Sequence, residues 1–277
     1  MNTSQVLRRA TDYLARHDVD APRATAETLL GSVLGSSRGD LYLGDQDLTA
    51  EQAKAFGRAL CRRCNGTPTQ HLTGEAGFRR LMLTVGPGVF VPRPETEVLV
   101  EHALVLMAGR ESPTVVDVGT GSGAIALAIK DERPDARVFG TDRSSDAVAL
   151  ARENGSRLGL SVEVLRGDLL EPLPARLRGC IDLVVSNPPY VTPAEYEAVP
   201  SEVRADPRDA VVGEVDVTAR LFERCADWLR TGGAVAVEIG EARGGDVREA
   251  AERAGFTDVR VEPDLNGRDR VVTGRLA

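Results

Sequence analysis

Ser186-Asn187-Pro188-Pro189-Tyr190 is the stretch whose residue types and spacing point most directly to chemistry. It follows an apolar run, Ile181 to Val185, that reads as a buried strand stopped by two prolines. Asn187 carries an amide oxygen that accepts and an amide nitrogen that donates. The carbonyl of Pro188 has no helix or ladder to join and is free to accept. Tyr190 adds a flat apolar face with a polar handle. Together they can hold a planar group bearing an –NH2. The two acceptors take its hydrogens and the ring stacks on its plane. The bland reading is a strand-terminating turn with an incidental tyrosine, so other parts of the chain must decide.

Upstream, Val115-Val116-Asp117-Val118-Gly119-Thr120-Gly121-Ser122-Gly123-Ala124 reads as strand, glycine-rich turn and helix start. Glycines let a ligand approach the backbone and leave helix N-terminal N–H groups available. The pattern also fits G-x-G-x-x-A, so a nicotinamide dinucleotide must be weighed. Asp117 opposes it: a carboxylate just before the loop repels a pyrophosphate and suits a cation, such as the amino group of an amino acid. Asp142 ends the second strand about 20 residues on, where a carboxylate takes ribose hydroxyls. Asp168 follows the third strand, placed to accept from an adenine amino group, with Leu169 as a wall of the base pocket. The implied ligand has a base, a ribose and a cationic amino-acid tail, without phosphate. S-adenosylmethionine fits.

These residues need an open parallel sheet to bring them to one end. From Thr114 the chain alternates strand and helix, with strands expected at Thr114–Val118, Arg137–Thr141, Val162–Leu165, Ile181–Ser186 and Ala234–Ile239. Two late strands, Thr257–Val261 and Arg270–Gly274, have no crossover between them and should pair antiparallel at one edge. The first and fourth strands should be neighbours, joining Gly119–Gly123 to Asn187.

Residues 4–64 read as helices, with Val6, Leu7, Ala10, Tyr13 and Leu14 on one face. Thr49 looks like the N-cap of a helix that carries Lys54, Arg58 and Arg62 at i, i+4 and i+8. That stripe is either a solvated face or a docking surface for an acidic partner. Cys61 and Cys64 form a C-x-x-C without a second pair, which reads as reduced thiols and not a zinc site. Phe78–Val85 and Val89–Val91 are expected to pair as a hairpin across Gly86-Pro87-Gly88. The extended Phe90-Val91-Pro92-Arg93-Pro94-Glu95-Thr96-Glu97 follows, with a helix starting at Thr96 or Glu97. Arg93, Glu95 and Glu97 are a solvated hinge or line the site. Three segments result: helices over 1–75, hairpin and linker over 76–97, and an α/β domain over 98–277.

The chain has 277 residues and a formal net charge of −8, with the first 80 residues leaning basic and the rest acidic. That balance argues against a protein that grips long nucleic acid. No apolar run approaches membrane-spanning length and no export pattern opens the sequence, so the cytoplasm is expected. Four cysteines make no disulfide framework. No metal is expected, and the scattered His17, His71 and His102 receive no catalytic role.

The sequence resembles the class I, seven-stranded methyltransferases, and within them the N5-glutamine methyltransferases of the HemK/PrmC family. The resemblance rests on Gly66-Thr67-Pro68 with His71-Leu72-Thr73-Gly74, on Phe90 to Glu97, on Asp117 to Gly123, on Ser186 to Tyr190 and on Gly267-Arg268-Asp269-Arg270-Val271-Val272. It implies an α/β fold: a Rossmann-like methyltransferase domain, a small N-terminal helical domain that docks substrate and a connecting β-hairpin. It implies methyl transfer from S-adenosylmethionine to the glutamine of a Gly-Gly-Gln loop in peptide chain release factors. Asp117, Gly119, Thr120, Gly121, Ser122, Gly123, Asp142, Asp168, Leu169 and Asn187 would then hold the cofactor. Asn187, Pro188, Pro189 and Tyr190, with Arg93 and Glu95, would hold the glutamine, and Asn187, Pro188 and Tyr190 would act in catalysis. A monomer without stable nucleic acid or membrane partners is expected. Asn-Pro-Pro-Tyr is shared with adenine-N6 methyltransferases, so an exocyclic amine of a nucleic acid is the alternative acceptor. The family's Glu-Pro and Gly-Gly elements after that loop are replaced by Val203-Arg204-Ala205-Asp206-Pro207 and Val212-Gly213-Glu214, and position 169, often aromatic, is Leu.

Overall fold

In the computed structural model, which describes residues 2–43, 46–213 and 217–277, Asn2 caps the first helix by accepting from the Gln5 N–H. That helix is α1 (Thr3–Arg16), followed by α2 (Pro22–Leu34), α3 (Asp40–Leu43), α4 (Ala50–Cys64) and α5 (Thr69–Thr73). α2 starts with proline in its first turn and closes on Gly35 at φ +63°. α4 opens with the reciprocal Thr49–Gln52 capping box. Leu14, Leu29, Leu30, Leu41 and Phe56 share the core of this unit. Tyr13 lies outside it, exposed, with its ring edge on His17 at 4.5 Å. Lys54, Arg58 and Arg62 are exposed. Residues 1–75 and 200–205 form this compact unit, and 76–199 with 206–277 form the other.

The hairpin forms, but earlier than its glycines suggest. Its strands are β1 (Glu75–Phe78) and β2 (Leu81–Thr84), reversing at Arg79-Arg80. Arg79 adopts a left-handed φ of +50°. Its N–H donates to Glu97 Oε1 at 2.9 Å, and its guanidinium binds Glu132, with Nη2 to Oε2 at 3.0 Å. These long-range partners hold the turn where sequence preference would not, and Gly86-Pro87-Gly88 becomes a loop.

The remaining elements alternate as expected. In order they are α6 (Thr96–Leu106), β3 (Thr114–Val118), α7 (Ala124–Glu132), β4 (Arg137–Asp142), α8 (Ser145–Leu158), β5 (Glu163–Arg166) and β6 (Ile181–Ser186). Three short helices follow: α9 (Pro193–Tyr196), α10 (Ser201–Arg204) and α11 (Arg208–Val211). Then come α12 (Val217–Trp228), β7 (Leu229–Glu238), α13 (Gly244–Arg253), β8 (Phe256–Pro263) and β9 (Asp269–Leu276). The seven-stranded sheet runs β5-β4-β3-β6-β7-β9-β8, with β9 antiparallel to both its neighbours. Alternating side chains build a core on each face. Val115, Leu183, Val185 and Ala236 pack on one side, and Val116, Val184, Val235 and Val237 on the other.

Candidate active site

Register brings the strand tips to one level. Val118 of β3 lies opposite Thr141 of β4 and Ser186 of β6, and Ser186 lies opposite Val237 of β7. The next residues are Gly119, Asp142, Asn187 and Glu238. Ser186 ties two tips together by donating its hydroxyl to the Val118 carbonyl at 2.7 Å.

The glycine loop is held from below. Gly119 N and Thr120 N both donate to the Thr141 carbonyl, at 2.8 and 3.0 Å. Gly121 N donates to Asp142 Oδ2 at 2.9 Å, and Ser144 N to Asp142 Oδ1 at 2.9 Å. Gly119 and Gly121 have φ of +73° and +57°, and nothing lies within 4 Å of where a Cβ would stand on either. The loop therefore presents bare backbone to open space, as a ligand resting on it requires. Asp117 is fully buried. Its Oδ2 accepts from Thr120 Oγ1 at 2.6 Å and Ala126 N at 3.1 Å, while Oδ1 has no partner. Burial pushes its carboxyl up to about 7; the two donors pull it down and the charge of Asp142 pushes it up again. An orphaned acceptor beneath an open glycine loop, with a second carboxylate beside it, suits a ligand that carries positive charge and hydroxyls. S-adenosylmethionine meets both demands.

Asp168 and Leu169 follow the end of β5. Asp168 Oδ2 pairs with Arg220 Nη2 at 2.6 Å, so part of its accepting capacity is already used. Leu169 adopts a φ of +46° and packs half-buried against the core.

At the clamp, Asn187 Nδ2 donates to Thr96 Oγ1 at 3.1 Å. Thr96 is buried in the first turn of α6, so the proline-rich linker delivers an orienting partner to Asn187. The Tyr190 hydroxyl donates inward to Glu238 Oε1 at 3.4 Å, and its ring lies across Gly240, where a Cβ would stand 3.3 Å from Cδ2. Burial pushes the Tyr190 phenol up, as does the Glu238 charge, so the ring stays neutral. Arg93 binds Asp206, whose other oxygen accepts from Val91 N at 3.1 Å, and stacks over Phe90 at 5.1 Å. Arg93 thus anchors the linker. Glu95 is exposed at the entry of α6.

Behind the clamp, Val191 N donates to the Val211 carbonyl at 3.2 Å and Gly213 N to the Val191 carbonyl at 3.1 Å. A Cβ on Gly213 would stand 1.9 Å from the Pro189 oxygen. Glu214 lies outside the described residues. Sequence reasoning missed Thr96, Glu238 and Gly213. For Glu238 a signal existed: it is a single carboxylate ending an apolar strand, as Asp142 does. Among the described residues, no group of three His, Cys, Asp or Glu side chains is set to hold a metal.

Comparison with known proteins adds independent findings. The family described as PrmC N-terminal domain matches residues 5–74, and the Methyltransferase small domain matches residues 82–204. The release factor glutamine methyltransferase of Moorella thermoacetica is 41% identical over 98% of this chain and 97% of its own. That of Mycolicibacterium smegmatis is 44% identical over 95% and 94%. Among solved structures, the T. thermophilus 16S rRNA N2 G1207 methyltransferase superposes with a TM-score of 0.54 at 21% identity, covering 73% of this chain and 50% of its own. The ribosomal protein L11 methylase of Lactobacillus delbrueckii subsp. bulgaricus gives 0.50 at 21% identity, covering 70% and 84%. At that identity the structures speak for a shared fold.

Proposed function

The chain belongs to the release factor glutamine methyltransferase family, and we propose that it moves the methyl group of S-adenosylmethionine to the side-chain nitrogen (N5) of the glutamine in the Gly-Gly-Gln loop of peptide chain release factors. Relatives so named match it along nearly its whole length. The observation that carries the residue assignment is the shared level of Gly119, Asp142 and Asn187 at the sheet end. Gly119 to Gly123 and Asp117 take the amino-acid end of the cofactor, Asp142 the ribose, and Asp168 and Leu169 the base, Asp168 through the oxygen that Arg220 does not hold.

When bound, S-adenosylmethionine supplies an electrophilic methyl on a good leaving group. The task of the chain is orientation, because a glutamine amide nitrogen is a weak nucleophile whose lone pair is delocalised into its carbonyl. The Asn187 side-chain oxygen and the Pro188 carbonyl accept its two N–H bonds and favour the localised lone pair, aimed at the methyl. Tyr190 packs on the amide plane. No strong base is needed; the extra proton leaves after transfer. Glu95, at the linker, faces the approaching factor, while Arg93 acts by holding the linker to Asp206.

Residues 1–75 dock the release factor, with Lys54, Arg58 and Arg62 as one contact surface; residues 76–97 join them to the catalytic domain at 98–277. No described helix is long and apolar enough to cross a membrane, and the enzyme acts as a cytoplasmic monomer. The test is transfer of labelled methyl to a purified release factor, to its Gly-Gly-Ala variant and to duplex DNA. Label on the wild-type factor alone is expected. Label on DNA, or on both factor forms alike, would replace glutamine as the acceptor.

A further inference from the structure

We propose that Asn154 is a positioning residue that joins the cofactor loop to the hairpin: its side-chain amide holds the Ser122 carbonyl and both backbone groups of Thr84, so that cofactor settling on the loop tightens the hairpin and the linker behind it. The seat of the cofactor on Gly119 to Gly123 rests on the function proposed above. The hydrogen bonds stand by themselves. Asn154 lies in α8 and is fully buried. A buried amide is costly unless its polar atoms find partners. Here Oδ1 accepts from Thr84 N at 2.8 Å, and Nδ2 donates to the Thr84 carbonyl and to the Ser122 carbonyl, both at 3.0 Å. The direction of the amide is fixed. A flipped side chain would set its NH2 against the Thr84 N–H and its oxygen against two carbonyls.

Thr84 ends β2. A two-stranded hairpin is marginal alone and leaves its outer backbone groups unpaired. Asn154 pairs with both groups of Thr84, as a third strand would. On the loop side, the Ser122 carbonyl meets Asn154 while Gly123 N donates to the Thr120 carbonyl at 2.8 Å, so both ends of one peptide plane are held. Gly123 lies close on the same helix: a Cβ there would stand 3.2 Å from Ala151 Cβ, one turn before Asn154. A ligand resting on the loop fixes that plane and, through Asn154, the Thr84 groups.

The other polar ties of the hairpin lead elsewhere. Arg79 binds Glu132 and Glu97, Arg80 Nε reaches Asp131 Oδ2 at 3.0 Å, and Arg157 Nη2 donates to the Met82 carbonyl. None of these touches the glycine loop. Phe78 and Leu83 share an apolar core with α7, but apolar packing is non-directional and sets no peptide plane. Past Thr84, Val85 and Val91 pack with Ala76 in a cluster of their own, and the chain reaches Thr96, whose hydroxyl receives Asn187 Nδ2. The end of β2 is therefore the rear support of the linker that orients the clamp.

The experiment is amide hydrogen exchange of the full chain with and without S-adenosylhomocysteine, alongside calorimetric affinity. In the wild type the ligand should slow exchange in segment 119–123 and also in segment 82–91, which carries no cofactor residue. Asn154→Ala removes all three bonds. Asn154→Asp keeps an acceptor for the Thr84 N–H and, ionised, has no hydrogen to give. Both variants should keep the slowing at 119–123, lose it at 82–91, and bind S-adenosylhomocysteine about 10-fold more weakly, because the freed carbonyls no longer hold the loop in place. Arg157→Ala removes another bond from α8 to β2 without touching the loop. It should speed hairpin exchange and leave both the affinity and the ligand-induced slowing intact, which separates coupling from loss of support alone. Slowing at 82–91 that survives in both Asn154 variants overturns the proposal, as does affinity unchanged in both. A wild type slowed at 119–123 and not at 82–91 removes the coupling alone. A wild type that binds the ligand with slowing at neither segment removes the cofactor from the glycine loop, and the coupling with it.

Discussion

Gly213→Ala is a single methyl group that should cripple turnover without touching the cofactor loop. The new Cβ would stand 1.9 Å from the Pro189 oxygen and 2.8 Å from its carbonyl carbon. Both are backbone atoms, so no side chain can swing aside. A tolerable contact needs at least about 3 Å, so Pro189 or the 211–213 segment must move by about 1 Å. Pro189 lies between Pro188 and Tyr190, and β6 holds the start of that loop in the sheet. A displacement of about 1 Å at reacting groups costs on the order of 10²-fold in rate. The expected result is a drop of about 10² in kcat/KM for release-factor methylation, with S-adenosylhomocysteine affinity by calorimetry unchanged. Gly86→Ala is the control, because nothing lies within 4 Å of its Cβ position. A Gly213→Ala enzyme within about twofold of wild type would refute the claim that segment 211–213 sets the clamp, since that is far short of the loss a 1 Å shift brings.

Asn187→Ala removes a positioned acceptor and should lower kcat by about 10²–10³-fold or more while cofactor binding persists; near wild-type turnover in a labelled-methyl assay would dismiss the clamp. Gly57 lies inside α4 with nothing within 4 Å of its Cβ position, so Gly57→Ala should stabilise the helical unit by about 1 kcal/mol, read as a higher melting temperature. Asp117 and Glu238 both titrate at about 7 when folded. Their folded values lie above the unfolded carboxylate value of about 4, so the stability they contribute is present below pH about 4 and lost as pH rises to about 7. The melting temperature of the ligand-free protein should therefore decline across that window, less steeply in Asp117→Asn, and an equal slope would remove Asp117 from the account.

The sheet was legible because its strands are short apolar runs that each end in a chemically distinct residue. Val115–Asp117, Thr141-Asp142 and Val185–Asn187 mark both the strand and its tip. The antiparallel edge followed from the short link between β8 and β9. What escaped depends on partners distant in sequence. The hairpin turn sits at Arg79 because Glu97 and Glu132 bind it there, and neither is visible from local turn preference. Asp168 meets Arg220, 52 residues on, across no recognisable motif. Thr96 reads as a helix-start residue, and nothing in the linker announces that it faces Asn187. The departures at Asp206 and Gly213 take their meaning from the fold: one ties down the linker, and the other clears space behind Pro189.

The two halves of the site are supported in different ways, with a consequence for how variants will sort. The cofactor half is held by its own strands: Thr120 on Asp117, Gly121 on Asp142, Gly119 on Thr141, all from β3, β4 and the turns that follow them. The clamp borrows its supports from elsewhere. Thr96 comes from α6, Glu238 from β7, and Gly213 from beyond α11. Substitutions among these supports should change turnover and leave cofactor affinity alone, because none of them touches the glycine loop. The same separation bears on acceptor choice. A glutamine amide and a nucleobase amine both offer an –NH2 that an Asn-Pro-Pro-Tyr loop can grip. Discrimination between them must come from what surrounds the loop, and here those surroundings are the linker, the β7 tip and segment 211–213.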